Sequence, residues 1–508
     1  MAGREGLIEL LNEIVKNQRL SIDKIETPSK AYNRYEQQFI SELGDYDFSD
    51  FNELFQDLDS SKLVYVSNFH TIRHSTKNFI EILKKFLNQP IQVGLECIMG
   101  KHQRHLDKFM NADISESQFL ELINYNKNWG FDWNDFRLIF NYAKKNKNVS
   151  LFGLNSRHKS DSLRRRDDYA AKKIVQRFKK NIDQKFFIQF GEFHLSRNHL
   201  PKKVNKIISE SDLKVPKSSF VLQDIDEIYW DLVNSDLEDS VEVTRLDNGS
   251  FCILTTTPLF KHQSHLNYLA ESEESPDYEP ICSTILSLYA NVLKLNFNPS
   301  TQDLVICSKD SFEDLDSELR KAKFSQEDIQ SILFRALQSR VFFIEANHGL
   351  LYLGDPNINH IAEGAARYLR FILCGPDHER TMKDSFYTKI IYDSIGFFGS
   401  KLINPKRRHK DVNFFKKNSN SLSAEYVLQH KKFEKNKKLD ICHMYSAPLD
   451  VYLKSTKYLG RILGAKLYDD FRTDKLGIQQ IRRLFFDLFE HESSSYNAYM
   501  GLINRKRD

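Results

Sequence analysis

The chain has 508 residues, 41% of them hydrophobic and 12% aromatic, which is enough to bury more than one core and too apolar for wholesale disorder. A formal net charge of +4 and a pI near 8.4 are too mild to argue for a nucleic acid or a membrane surface as partner. Six Cys, at 97, 252, 282, 307, 374 and 442, include no close pair; this excludes a Cys-rich zinc module and a c-type haem attachment motif, and points to reduced thiols in a cytoplasmic protein.

The first twenty residues, "MAGREGLIELLNEIVKNQRL", carry Arg4, Glu5 and Glu9 where an export signal needs an unbroken apolar run. Leu7, Leu10, Leu11, Ile14 and Val15 recur at helical spacing instead, so residues 1–60 are expected to form a helical extension. No stretch approaches 18 uncharged apolar residues, so no membrane span is expected, and no early Cys follows an apolar run to take a lipid.

From 62 to 224 short apolar runs alternate with helical patterns. The runs are "LVYVSN" (63–68), "IQVGLE" (91–96), "VSLFGLN" (149–155), "FFIQFG" (186–191) and "SFVLQD" (219–224). Continuous apolar strands separated by helices predict an α/β domain over 61–235, a mainly parallel sheet with helices on both faces. Beyond it a mixed, largely helical C-terminal region with β-hairpins is expected: an α+β part over 236–400, then a basic linker and helices over 401–508. The hairpin candidates are "VEVTRLDNGSFCILTTT", turning at Asp247-Asn248-Gly249, and "VFFIEANHGLLYLG", turning at Asn347-His348-Gly349. Twelve Lys and Arg crowd 401–438, and with few aromatic residues among them a solvated loop is the reading favoured over a patch for an anionic partner.

Ligands of open parallel sheets bind beyond the carboxyl ends of the strands. The first run ends in Asn68-Phe69-His70, with His74 behind it; the second ends in Glu96, and the third in Asn155 with Arg157 and His158 following. The fourth ends in Gly191-Glu192-Phe193-His194, with His199 five residues later. Two imidazoles and a carboxylate at one edge suit a divalent metal or an acid–base pair. Gly191 would allow a tight turn or the close approach of a ligand. Trp129 and Trp133, four residues apart, would line a flat ligand or anchor a helix. Arg164, Arg165 and Arg166 beside Asp167 and Asp168 would hold an anionic group or form a solvated face. In the second half His360, Glu363 and Arg367 share a helical face. No Gly-rich phosphate loop, Gly-x-Ser-x-Gly elbow or His-Glu-x-x-His signature is present.

With these residues in order, 62–224 resembles the ChaN-like family, the haem-binding uptake group related to the Tiki proteases and erythromycin esterases. The matching positions are Ser67-Asn68-Phe69-His70, Glu96, Trp129-Gly130-Phe131-Asp132-Trp133, Asn155 with Arg157, Arg166-Asp167 and Gly191-Glu192-Phe193-His194. The first motif departs from the family's Gly-Glu-x-His, since Ser67 and Asn68 stand where Gly and Glu are usual. The resemblance implies a haem- or metal-binding protein with His70, His194, Arg166, Asn155 and Trp129 around the cofactor. His70, His194 and Glu96 would be ligands if the cofactor is a divalent metal. The alternative is a metal-dependent hydrolase in which Glu96 or Glu192 activates water, and a second alternative is a non-catalytic scaffold whose C-terminal half takes a protein partner.

Overall fold

A computed structural model describes residues 2–156, 162–211, 213–271, 277–346 and 348–504. The chain divides into two compact units, Asn17–Leu269 and a second made of Met1–Lys16 with Ala270–Asp508.

The unit Asn17–Leu269 is built on one sheet. Its strands are β1 Tyr46–Ser49, β2 Leu63–Asn68, β3 Ile91–Met99, β4 Val149–Asn155, β5 Lys185–Gly191, β6 Ser218–Gln223, β7 Val243–Leu246 and β8 Phe251–Ile253. They lie in the order β1-β7-β8-β6-β2-β5-β3-β4. From β8 to β4 every neighbouring pair is parallel, while β1–β7 and β7–β8 are antiparallel. The five apolar runs are β2 to β6, five of these six parallel strands. The hairpin turning at Asn248-Gly249 does not stand apart from them: β8 pairs with β6 and extends the same sheet.

Side chains alternate across the strands, so each face has its own core. Val64, Val66, Val93, Leu95, Phe187 and Val221 pack with Phe79, Ile82, Phe119, Ile139 and Phe140 of the helices on one face. Leu63, Tyr65, Phe186, Ile188 and Phe190 pack with Ala170, Ile174, Phe178, Val204 and Ile208 on the other. Both faces are dry, which is why the strands read as unbroken apolar runs.

In the second unit a three-stranded sheet, β9 Leu304–Ser308, β10 Phe342–Glu345 and β11 Gly349–Leu353, runs in the order β10-β11-β9. The β10–β11 pair is the second expected hairpin, although Asn347 of its turn lies outside the described residues. Helices Ile358–Cys374, Met382–Ile403 and Leu449–Arg472 are its longest helices after Ala270. The basic stretch holds two helices, Val412–Lys417 and Leu422–Lys435, and the Arg407 side chain is only 9% exposed. Among the described residues no helix is long and apolar enough to cross a membrane.

Candidate functional site

The carboxyl ends of β2, β3 and β5 lie side by side, and three side chains converge there on Gly191. A Cβ built on Gly191 would sit 3.5 Å from Glu96 Oε2, 3.6 Å from His194 Cδ2 and 3.6 Å from His70 Nε2. Gly191 has φ −56° and ψ 140°, a conformation open to any residue. The tight-turn role expected of it is therefore not needed. What the glycine provides is room.

Glu96 enters this space because the β3 ladder loosens beside it. Leu95 is the last residue of β3 paired with β5, and the register against β4 shifts between Leu95 and Met99. The strand runs on to Met99 instead of ending at Glu96. Freed from the ladder, the carboxylate accepts the Gly191 N–H on Oε2 at 2.7 Å and the Arg166 guanidinium on Oε1. It is 3% exposed. Burial alone would raise its pKa, but Arg166, His70, His194 and the Gly191 N–H together hold it below the usual carboxylate range.

Ser162 caps the helix Leu163–Lys180, fixing the direction of its first turn. Arg166 and Asp167 then point to different partners. Arg166 goes to Glu96, so its charge is turned inward rather than presented to an outside anion. Asp167, fully buried, accepts from His194 Nδ1 on Oδ1 at 2.5 Å and from the Tyr35 hydroxyl on Oδ2 at 2.9 Å.

His70 is held differently. Its Nδ1–H donates to Asn68 Oδ1 at 2.9 Å, and its Nε2 lies 3.8 Å from Glu96 Oε2. The ring is edge-on to Trp129 at 4.6 Å and tilted against Phe131 at 4.8 Å; Phe131 in turn stacks on Tyr268 at 4.4 Å. Desolvation pushes the imidazole down to about 4 against the pull of Glu96, so it is neutral at pH 7. Two buried donors beside it, Asn68 Nδ2 and Trp129 Nε1, have no hydrogen-bond partner among the described residues.

The remaining candidates have other partners. Asn155 Oδ1 accepts from the Ser156 N–H and shapes the loop after β4. Trp133 packs among Tyr125, Phe109, Phe119 and Phe140 as a helix anchor. His199 stacks on Tyr35 at 3.7 Å. His74 meets Phe260 edge-on at 6.3 Å. Arg157 and His158 lie outside the described residues. Glu192, on the residue after Gly191, pairs with the buried Lys261 at 3.4 Å, and Lys261 pairs with Asp226 at 3.4 Å.

Among the described residues no group of three or more His, Cys, Asp or Glu is arranged to hold a metal ion. At the expected ligands, both Glu96 oxygens accept hydrogen bonds and Asp167 accepts from His194 Nδ1, which leaves His194 Nε2 as the remaining ring nitrogen. Sequence reasoning missed Tyr35, Phe131 and Tyr268 as parts of the site. Only Phe131, inside the Trp-Gly-x-Asp-Trp stretch, left a local signal.

Residues 54–165 match the profile of a family described as haem-binding uptake, Tiki superfamily, ChaN. This stretch is ChaN-like. It contains His70, Glu96, Trp129 and Asn155, while Arg166 and His194 follow its end. Among solved structures, ChaN of Campylobacter jejuni, described for its cofacial haem binding, is similar at 14% identity over 35% of this chain and 87% of that one. The TM-score is 0.26, too low to transfer any geometry. No curated protein matches the chain.

Proposed function

We propose that the ChaN-like domain binds haem at the strand-end site, where His70 and His194 are the imidazoles that would hold it. One observation carries the reading. Both rings have their Nδ1 fixed by a hydrogen bond, to Asn68 and to Asp167, which leaves Nε2 as the remaining nitrogen on each. That is how ligating histidines are usually oriented. The residues fit the group in two further respects. Trp129, Phe131 and Tyr268 offer an aromatic wall, and the unpartnered donors Asn68 Nδ2 and Trp129 Nε1 suit the carboxylates of a porphyrin edge. When bound, haem supplies an iron centre that accepts imidazole nitrogen. The chain's own part is to keep His70 neutral, hold both rings, and screen the buried Glu96 with Arg166.

The test is a haem titration of the purified protein followed by visible absorption, beside His70→Ala and His194→Ala variants shown to be folded. Saturable binding that weakens in both variants supports the reading. Binding left intact in both sinks it.

A second reading rests on a different observation. A neutral His70 lies 3.8 Å from an ionised Glu96, an arrangement able to take a proton from water without a metal. If the wild type takes no haem, hydrolysis becomes the leading reading. Glu96→Gln should then abolish whatever activity an ester or amide panel reveals, and retention of that activity would refute it.

A further inference from the structure

Three helices of the second unit each carry a charged pair one turn apart. Glu363 and Arg367 lie on Ile358–Cys374, Lys389 and Asp393 on Met382–Ile403, and Lys457 and Arg461 on Leu449–Arg472. Residues four apart share a helix face, and here the three faces meet. Glu363 accepts from Arg407 and, at 3.2 Å, from Arg461. Arg367 donates to Asp393. Lys457 is drawn by Glu363 and Asp393 and repelled by Arg461 and Arg367. Lys389 is drawn by Asp393 and repelled by Arg367 and Arg335.

Glycines let the backbones come close enough for this. A Cβ on Gly396 would lie 3.6 Å from Glu363 Cβ and 3.7 Å from Arg367 Nε, and one on Gly460 would fall 2.4 Å from Asp393 Cβ.

The charges do not balance. Among the described residues of the cluster, five cations (Arg367, Lys389, Arg407, Lys457 and Arg461) face two carboxylates, Glu363 and Asp393, an excess of three positive charges. His360, on the same face, adds no charge, because desolvation pushes it down to about 4. The carboxylates form the floor, at 8% and 10% side-chain exposure for Glu363 and Asp393, with Arg407 at 9%, Arg367 at 22% and Arg461 at 24%. Lys457 has no ion pair with any described residue, and burial pushes its ammonium down to about 8. Half-buried cations in excess of their counter-ions are costly to keep unless something negative completes them.

We propose that this cluster is a binding site for a small, multiply charged oxyanion of the phosphate class, such as a phosphomonoester or a pyrophosphate. Glu363 orients the Arg407 and Arg461 forks, Asp393 orients Arg367, and Lys457 offers an ammonium that no described residue takes up. Planar guanidinium forks with an added ammonium are the donor set that recognises phosphate oxygens. Because the cationic groups are half-buried between helices rather than spread over an exposed face, the ligand is a soluble small anion and not a membrane surface or a nucleic acid backbone.

The experiment is calorimetric titration of the full chain with sodium pyrophosphate and with inorganic phosphate at fixed ionic strength, repeated for Lys457→Met and Lys457→Arg. The expected result is saturable pyrophosphate binding, weakened on the order of 10- to 100-fold in Lys457→Met and largely restored in Lys457→Arg. Thermal unfolding without ligand supplies the second readout. Loss of an uncompensated cation should leave the melting temperature of Lys457→Met unchanged or higher. Absence of pyrophosphate and phosphate binding in the wild type would overturn the proposal. So would equal affinity in wild type and Lys457→Met, or a ligand-free Lys457→Met that melts well below the wild type, since either outcome assigns the lysine a purely structural role.

Discussion

The substitution Gly191→Ala separates the site from the fold more cleanly than removal of any side chain. The new methyl would meet Glu96 Oε2 at 3.5 Å, His194 Cδ2 at 3.6 Å and His70 Nε2 at 3.6 Å, ordinary contact distances that force nothing to move. The backbone conformation suits alanine, and the Gly191 N–H to Glu96 bond at 2.7 Å does not involve the side chain. Replacing a glycine at such a position stabilises by roughly 0.4–1 kcal/mol through the unfolded chain. Against this stands the partial desolvation of a carboxylate and an imidazole, a cost of about the same size. The net change in stability should therefore stay within about 1 kcal/mol in a urea titration. The methyl nevertheless fills the point on which all three polar groups converge, so haem affinity should fall by at least about tenfold, or 1.4 kcal/mol. Unchanged haem affinity in a variant of unchanged stability would refute the placement of the ligand above Gly191. A loss of more than about 3 kcal/mol would refute the claim that the space is there.

Arg166→Met leaves Glu96 buried without its counter-ion and should cost about 3 kcal/mol in chemical denaturation, whereas the double variant Arg166→Met with Glu96→Gln should recover much of that loss. Additive effects in this cycle would show that the pair is not coupled. Lys185→Met should cost about 2–4 kcal/mol, because the buried ammonium donates to Leu58, Asp59 and Ser61 carbonyls and closes the end of the helix Phe51–Ser60; a change under 1 kcal/mol would discount that role. Stability should also fall with acidification below pH 6.5. His70 binds its proton near 6.5 in the unfolded chain but only near 4 in the fold, so between those values the unfolded state holds more protons and gains on the native one. The stabilisation is complete above 6.5 and is lost as pH drops through 4, at most about 3 kcal/mol, and His70→Ala should flatten the slope of stability against pH in that window.

The parallel strands were legible because a sheet covered on both faces demands continuous apolar runs, and residues 63–68 and 149–155 are strands end to end. The convergence of His70, Glu96 and His194 followed from topology alone, since strands that run parallel bring their ends together. Which atom faces which was not legible. Arg166 and Asp167 are adjacent at a helix start, and a helical step of about 100° sends them to different partners. Nothing local distinguishes an arginine turned in toward Glu96 from one turned out toward an anion. Tyr35, which braces Asp167, comes from a helix 132 residues upstream of it. The strands β1, β7 and β8 are short and join the sheet by tertiary pairing, so their period carried no sign of which sheet they would enter. The charge cluster of the second unit was half visible, as Glu363 and Arg367 on one face, but its excess of cations depends on helices about 30 and 90 residues further along.

The two imidazoles of the strand-end site differ in the group that accepts their Nδ1–H, and that difference can be tested. His194 donates to a carboxylate, whereas His70 donates to the neutral amide of Asn68, at a position where the resembling family carries Glu. A carboxylate accepting the Nδ1–H raises the basicity of the ring and strengthens Nε2 as a ligand, whereas an amide orients the ring without doing so. Asn68→Asp keeps the side-chain length and places a negative charge about 3 Å from His70 Nδ1. An opposite charge at that range raises a histidine pKa by 1–3 units against the desolvation that now holds it near 4. The His70 Cε1–H resonance should then titrate between about pH 5 and 7 in NMR, and haem affinity should rise. A His70 that still titrates near 4 would mean that the new carboxylate is itself protonated in the buried site. A raised pKa with haem affinity unchanged would mean that His70 does not hold the haem.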